Sequence, residues 1–204
     1  MNYKTKRVLA VLVFFLVCAV GGAIYGIVHY ANKGRSCPFE MQKCSLVEDL
    51  LPSLYGYSYT LSCDGTDIYR ADRTAYWGFE MRHLNQTSDH VLFEKTGMTS
   101  LVVPKWLFTL NGQNGVIGYG ISIVKKYQVS WGDLKWRSKD SYLPTTWPNS
   151  MQILDRGGDH VVKFNKKDIT IKREYNVCLK RDLDQNRHML ATATIVTFVI
   201  GKSE

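Results

Sequence analysis

The side chains able to do chemistry are few and scattered. Five histidines, His29, His83, His90, His160 and His188, stand at no spacing from cysteine or carboxylate that would enclose a zinc ion. Gly157-Gly158-Asp159-His160 places a base beside a turn, and Cys178 or a serine could serve it as a nucleophile. A hairpin turn followed by a strand residue accounts for the same four letters without any reaction. Cys178 also falls on the polar side of an alternating run, which suits a disulfide better than a buried nucleophile. The chain has no Gly-x-Ser-x-Gly elbow, no Gly-x-x-x-x-Gly-Lys-Ser/Thr phosphate loop and no dinucleotide fingerprint after a strand. The expectation is a protein that is not an enzyme and uses no metal and no cofactor.

Other chemistry is written more plainly. Four cysteines, Cys37, Cys44, Cys63 and Cys178, follow a long apolar stretch, and a fifth, Cys18, lies inside it. Two disulfides are expected, with three connectivities open. Cys37 and Cys44 are close enough to pair through a turn, though not within one helix. Seven residues of helical rise would hold them about 10 Å apart, beyond the reach of a disulfide. Four reduced thiols in a cytosolic domain is the alternative. Asn85-Gln86-Thr87 is a glycosylation sequon among loop-like residues.

The apolar stretch at 8–30 fixes the setting of these groups. It holds no Asp, Glu, Lys or Arg, and its length covers about 34 Å as a helix, enough for a bilayer core of about 30 Å. A cleaved signal peptide is the competing reading, but its apolar region would typically be only about 7–15 residues. Gly22 and Gly26 form a Gly-x-x-x-Gly pair, the small-residue spacing that lets membrane helices pack closely. Lys4, Lys6 and Arg7 precede the stretch. With the cysteines and the sequon, this basic start favours a cytosolic tail at 1–7, a signal-anchor helix at 8–30 and a lumenal or extracellular remainder. That is a type II single-pass protein of the endoplasmic reticulum, endomembranes or plasma membrane.

The remainder is large enough for one domain. The chain of 204 residues is 45% hydrophobic and 12% aromatic, a composition that builds a core. Its net charge of +8 is not concentrated in a tail and comes with no zinc-finger or arginine-rich block, so no nucleic-acid partner is expected. Residues 31–56 read as a juxtamembrane linker and a short helix over 38–51, capped by Ser36 and stopped by Pro52. From 57 to 204 the period becomes two. Tyr57, Tyr59, Leu61 and Cys63 share a face, as do Trp77, Phe79 and Met81. Residues 117–131 make the clearest strand, with an interruption at Lys125, and Ile169, Ile171, Tyr175, Val177 and Leu179 repeat the pattern. Asp64-Gly65, Asn111-Gly112, Asn114-Gly115 and the 156–159 turn separate strands. About eight or nine antiparallel strands are expected, closed into a barrel or tightly coiled to hide their edges. Residues 188–200 carry no Asp, Glu, Lys or Arg and are expected to be buried. Their β-branched content favours a last strand, while Asp182 or Asp184 and Gly201 offer a helix cap and stop.

Three segments carry a family resemblance: 62–71, 153–164 and 188–200. The first two are strand, turn, strand units, and the third is the apolar C-terminal run. Together they resemble the tubby-like barrels shared by tubby, phospholipid scramblases and LURP-one-related proteins. The resemblance implies a closed barrel around a hydrophobic C-terminal helix, and a lipid-binding, lipid-transfer or scrambling role. The expected fold is thus mainly β, an N-terminal transmembrane helix followed by an antiparallel barrel or coiled sheet with a buried apolar C-terminal segment. Lys125, Lys126, Lys135 and Arg137, with Trp131 and Trp136, could meet lipid headgroups. The expected partners are the bilayer, one or more membrane proteins and, on the lipid reading, a bound lipid.

Overall fold

The computed structural model describes residues 37–53, 56–74, 78–86, 90–96, 105–119, 126–140, 150–167 and 173–203. Twelve strands follow one another along the chain: β1 (Met41–Ser53), β2 (Gly56–Cys63), β3 (Thr66–Arg73), β4 (Phe79–His83), β5 (His90–Lys95), β6 (Lys105–Leu110), β7 (Gln113–Tyr119), β8 (Tyr127–Trp131), β9 (Leu134–Ser138), β10 (Ser150–Leu154), β11 (His160–Lys166) and β12 (Glu174–Lys180). A single described helix, α1 (Gln185–Ser203), ends the chain. Each strand pairs antiparallel with the next, and β1 pairs with β12 from Met41↔Lys180 to Val47↔Glu174, which closes the barrel. Closure leaves no free sheet edge.

Local chemistry explains the hairpins. Asp64 and Gly65 have φ of 51° and 81°, and Asn111 and Gly112 have 50° and 73°. Two successive positive φ values are what a two-residue loop between right-twisted strands requires, and Asp-Gly and Asn-Gly tolerate them. Asn114-Gly115 was expected to turn as well, but both lie inside β7, paired with Thr109 and Phe108. Gly115 serves the packing instead. Phe79, Phe93 and Phe108 stand opposite one another on β4, β5 and β6, with ring centroids 4.7 and 5.1 Å apart. The row ends where the Phe108 ring covers Gly115, and a Cβ there would lie 2.1 Å from the ring.

Three further expectations are corrected. The stretch expected as a helix over 38–51 is mostly β1, with Cys44, Leu46 and Glu48 buried on its inner face. Its apolar residues fit either period, and the waiting edges of β2 and β12 decide for the strand. The sheet therefore starts at Met41, not at 57. The single long strand expected over 117–131 is two, β7 and β8, paired from Gly115↔Trp131 to Tyr119↔Tyr127. Among the described residues the strands number twelve, not eight or nine. Trp77, Lys125, Ile169 and Ile171 lie outside the described residues.

The core is centred on α1. Residues 189–200 are at most 4% exposed on every side, so the segment is buried as expected. Helix α1 packs against β3, β7 and β11, every fourth strand of a twelve-strand ring, and only a helix inside the ring can touch all three. A barrel widens with strand number, so twelve strands leave more room than side chains from the wall alone fill. Helix, not strand, is the form taken, against the β-branched propensity. Thr192, Thr194 and Thr197 donate their hydroxyls to the carbonyls of His188, Leu190 and Thr194, at 3.0, 2.6 and 2.9 Å. These bonds satisfy polar groups that would otherwise be buried without partners. Tyr127 donates to Thr197 Oγ1 at 2.5 Å, tying helix to wall. Asp184 caps the helix, its Oδ1 accepting from the Arg187 amide at 2.9 Å. Gly201 does not stop it, and α1 continues to Ser203.

Candidate functional site

Both expected disulfides form, at the end of the barrel where α1 enters. Cys44 and Cys63 are directly paired residues of β1 and β2, with Cα atoms 4.1 Å apart, and their bond lies on the inner side of the wall. Cys37 joins Cys178, with Cα atoms 5.5 Å apart. Cys178 faces out from β12, between the inward Val177 and Leu179. The turn that bonds the Met41 amide to the Pro38 carbonyl at 2.9 Å brings Cys37 to it. Cys37 and Cys44 therefore do not pair: Cys44 meets Cys63 across the β1–β2 hairpin, and Cys37 meets Cys178 where β1 pairs with β12. Cys178, being oxidised, has no thiol to offer His160.

Strand register sorts the outer face into two unlike halves. Across β1 to β4, charges neutralise one another. Asp72 accepts from Ser58 Oγ at 2.7 Å and Arg70 Nε at 2.9 Å, and lies 3.2 Å from Arg82 Nη2. Arg70 also reaches Asp49 at 3.5 Å. Burial opposes the charge on Asp72, but the hydrogen bonds from Ser58 and Arg70 and the charges of Arg70 and Arg82 outweigh it and hold its pKa below the usual value. This ladder escaped the sequence reading, since alternation marks which residues face out but not which strand lies beside which.

Across β8 to β11 the charge is one-sided, for these four strands contain no acidic residue. Gln128 pairs with Arg137 and Ser130 with Lys135, so all four side chains share the outer face of the β8–β9 hairpin. Lys135, Arg137 and Lys139 are exposed at alternate positions. The Lys139 amide still bonds the Gln152 carbonyl at 2.8 Å, which keeps it in the sheet beyond β9. A groove of about 350 Å³ runs over this face, lined by Gln128, Ser130, Lys135, Arg137, Asp155 and Arg156, with the otherwise buried Trp136 at its floor. Asp155 is already engaged. Its carboxylate accepts from the Asp159 amide at 2.9 Å and lies 3.5 Å from Lys180. Burial works against its charge, but the Asp159 and Gly157 amides and Lys180 outweigh it and keep its pKa low.

The tryptophans expected beside these cations are elsewhere. Trp136 is 5% exposed and points into the barrel between the outward Lys135 and Arg137. Trp131 is partly buried against the core and donates its indole N–H to the Leu110 carbonyl at 3.2 Å. Of the six residues proposed to touch headgroups, Lys135 and Arg137 are exposed on the outer wall, Lys126 is half-buried just before β8, and Lys125 lies outside the described residues.

Titratable groups also meet at the helix entry. The rings of His83 and His188 lie 5.0 and 5.5 Å from that of Tyr69. Burial, and then the nearby His83, push the pKa of His188 down, and its Nδ1 is buried with no hydrogen-bond partner among the described residues. At the opposite end Glu48 is 7% exposed. Burial raises its pKa against the pull of Arg173, 3.6 Å away, and of Lys166. Neither arrangement pairs a nucleophile with a base, and among the described residues no three His, Cys, Asp or Glu side chains cluster as metal ligands. Asn85 is exposed in the turn after β4, where its amide donates to His83 Nδ1 at 3.1 Å. Among the described residues no helix is long and apolar enough to cross a membrane. Residues 8–30, with Gly22 and Gly26, lie outside them. No protein-family model, no curated protein and no solved structure matches the chain.

Proposed function

We propose that this chain is a non-catalytic, single-pass membrane protein whose barrel faces the lumen or the cell exterior and serves as an accessory or scaffolding subunit of a larger membrane complex. The observation that carries this reading is α1. Closed barrels that carry a ligand usually hold it in the lumen, and here residues 189–200 of the chain itself occupy that space. Recognition is left to the wall. Two disulfides support an oxidising compartment, and exposed Asn85 supports the side on which glycans are added. The Gly22–Gly26 pair adds a second contact surface, within the bilayer.

A second reading draws on the architecture itself. A closed barrel around a C-terminal helix is what the tubby-like resemblance implies, and it supports lipid binding, transfer or scrambling. Fold alone does not carry such an activity over.

Purification of the tagged full-length chain from membranes in mild detergent separates the two. Under the accessory reading a membrane protein co-purifies in stoichiometric amount. Tightly bound lipid without a protein partner would overturn it in favour of the second. Topology is tested alongside. The C-terminus should resist protease in intact vesicles, and Asn85→Gln should abolish a mobility shift on deglycosylation. A protease-accessible, unglycosylated domain would reverse the orientation.

A further inference from the structure

We infer that the outer face of the β8–β9 hairpin, with Arg156, is a docking surface for an extended acidic segment of a partner protein, an inference that rests on the accessory-subunit reading. Arg70, Arg82, Lys167, Arg173, Lys180 and Arg187 each lie within 4 Å of a carboxylate. Among the described residues, no carboxylate lies within 4 Å of Lys135, Arg137, Lys139 or Arg156. A cluster of cations without counter-charges costs folding free energy through self-repulsion, and an incoming anion relieves that cost. Asp155 lines the groove but is held by Lys180 and the Asp159 amide, and the exposed Asp133 and Asp140 flank β9 without lying within 4 Å of these cations among the described residues.

Spacing selects the occupant. Lys135 and Arg137 project from alternate positions of β9, about 7 Å apart, and Lys139 follows in the bend just beyond the strand. Acidic side chains at alternate positions of an extended peptide recur at the same interval, and such a peptide laid along β9 would meet each cation in turn. Gln128 and Ser130, on the neighbouring strand, offer hydrogen-bonding groups to its backbone. The barrel has no open edge, so the peptide would be held by side chains and not by joining the sheet. A bilayer fits this face less well. Stable interfacial binding adds exposed apolar groups to the attraction of cations, yet Trp136 points inward and Trp131 is engaged. The large exposed apolar residues among those described, Phe39, Tyr57, Leu84, Leu92 and Leu107, all lie off this hairpin.

The test uses the full chain in nanodiscs of neutral phosphatidylcholine. Its probes are a labelled peptide of alternating Glu and Thr, the same composition with the glutamates in one block, heparin, and vesicles of equal parts phosphatidylcholine and phosphatidylserine. The alternating peptide should bind best, and more weakly as salt rises. Lys135→Glu with Arg137→Glu should lower its affinity by about tenfold or more, and an alternating Lys-Thr peptide should bind this variant in its place. Both residues are exposed and, among the described residues, outside every ion pair, so the variant should keep the wild-type circular dichroism. Tighter binding of heparin or anionic vesicles would overturn the inference, as would equal binding of the block peptide or indifference to the double substitution. If the double variant still co-purifies with the membrane partner, this surface fails and the accessory reading stands. If the wild-type chain has no partner, that reading itself fails.

Discussion

Replacing Phe198 by alanine tests whether α1 is the centre of this domain. Phe198 is 1% exposed, with ring centroids 5.3 Å from Phe164 and 5.9 Å from Tyr127, both edge-on. Removing a fully buried phenylalanine costs about 3–5 kcal/mol, from lost transfer energy and from the cavity left behind. Domains are typically stable by only about 5–15 kcal/mol, so this is a large share. Leucine keeps most of the volume and forfeits chiefly the two aromatic contacts, at about 0.5–1.5 kcal/mol each. The order of stability should be wild type, Phe198→Leu, Phe198→Ala. Urea unfolding of the purified chain with disulfides intact, followed by tryptophan fluorescence, gives the readout. Trp106 and Trp136, at 0% and 5% exposure, report on the core. With a slope of about 2–3 kcal/mol per molar urea, Phe198→Ala should move the midpoint down by about 1–2 M. Leu107→Ala, at a position 48% exposed on the outer wall, should cost no more than about 0.5 kcal/mol. If Phe198→Ala behaves like Leu107→Ala, the helix is not the core of the barrel.

Gly115→Ala would set a methyl group against the Phe108 ring, and should cost about 1–3 kcal/mol in the same unfolding assay. Phe108→Leu in the same chain should recover part of that loss. The disulfides should differ in weight. Cys37–Cys178 spans 141 residues and Cys44–Cys63 spans 19, so their loss should cost at most about 5 and about 3 kcal/mol on the chain-entropy account. Non-reducing peptide mapping of the wild type should find these two pairings and no Cys37–Cys44 bond. His188 predicts a pH dependence. Its pKa is depressed in the fold below 6.5, so the unfolded chain binds a proton first, and stability present above about pH 6.5 should fall as pH drops below it. Burial first, and then nearby His83, disfavour the protonated ring, and the positive end of α1 acts in the same direction. Thermal melts of His188→Gln should lose less stability than wild type between about pH 7.5 and about pH 5. An equal loss in both would place the acid-sensitive group elsewhere.

Local rules made much of this protein legible from its letters. Alternation marks Phe79, Met81, Tyr175, Val177 and Leu179 as one-sided, and all five are buried. Asp-Gly and Asn-Gly specify two hairpins because few other pairs accept two positive φ values. An even set of cysteines on one side of an apolar stretch signals two disulfides. The uncharged run at 188–200 signals burial. Other features depend on which strands become neighbours, and sequence spacing carries no such information. Cys37 finds Cys178 across 141 residues, and Cys44 finds Cys63 only because β1 is a strand. Residues 38–51 could satisfy either period, and the two edges they fill settle the choice. Lys135, Trp136 and Arg137 read as one cluster, but the pleat sends Trp136 inward and leaves the two cations outside. The helical form of 189–200 is the clearest case. Propensity points to a strand, but a strand must find a partner edge for its backbone, and the closed barrel has none to offer. Inside the ring only a helix pairs its own N–H and C=O groups, and its threonines turn their hydroxyls back to its own carbonyls.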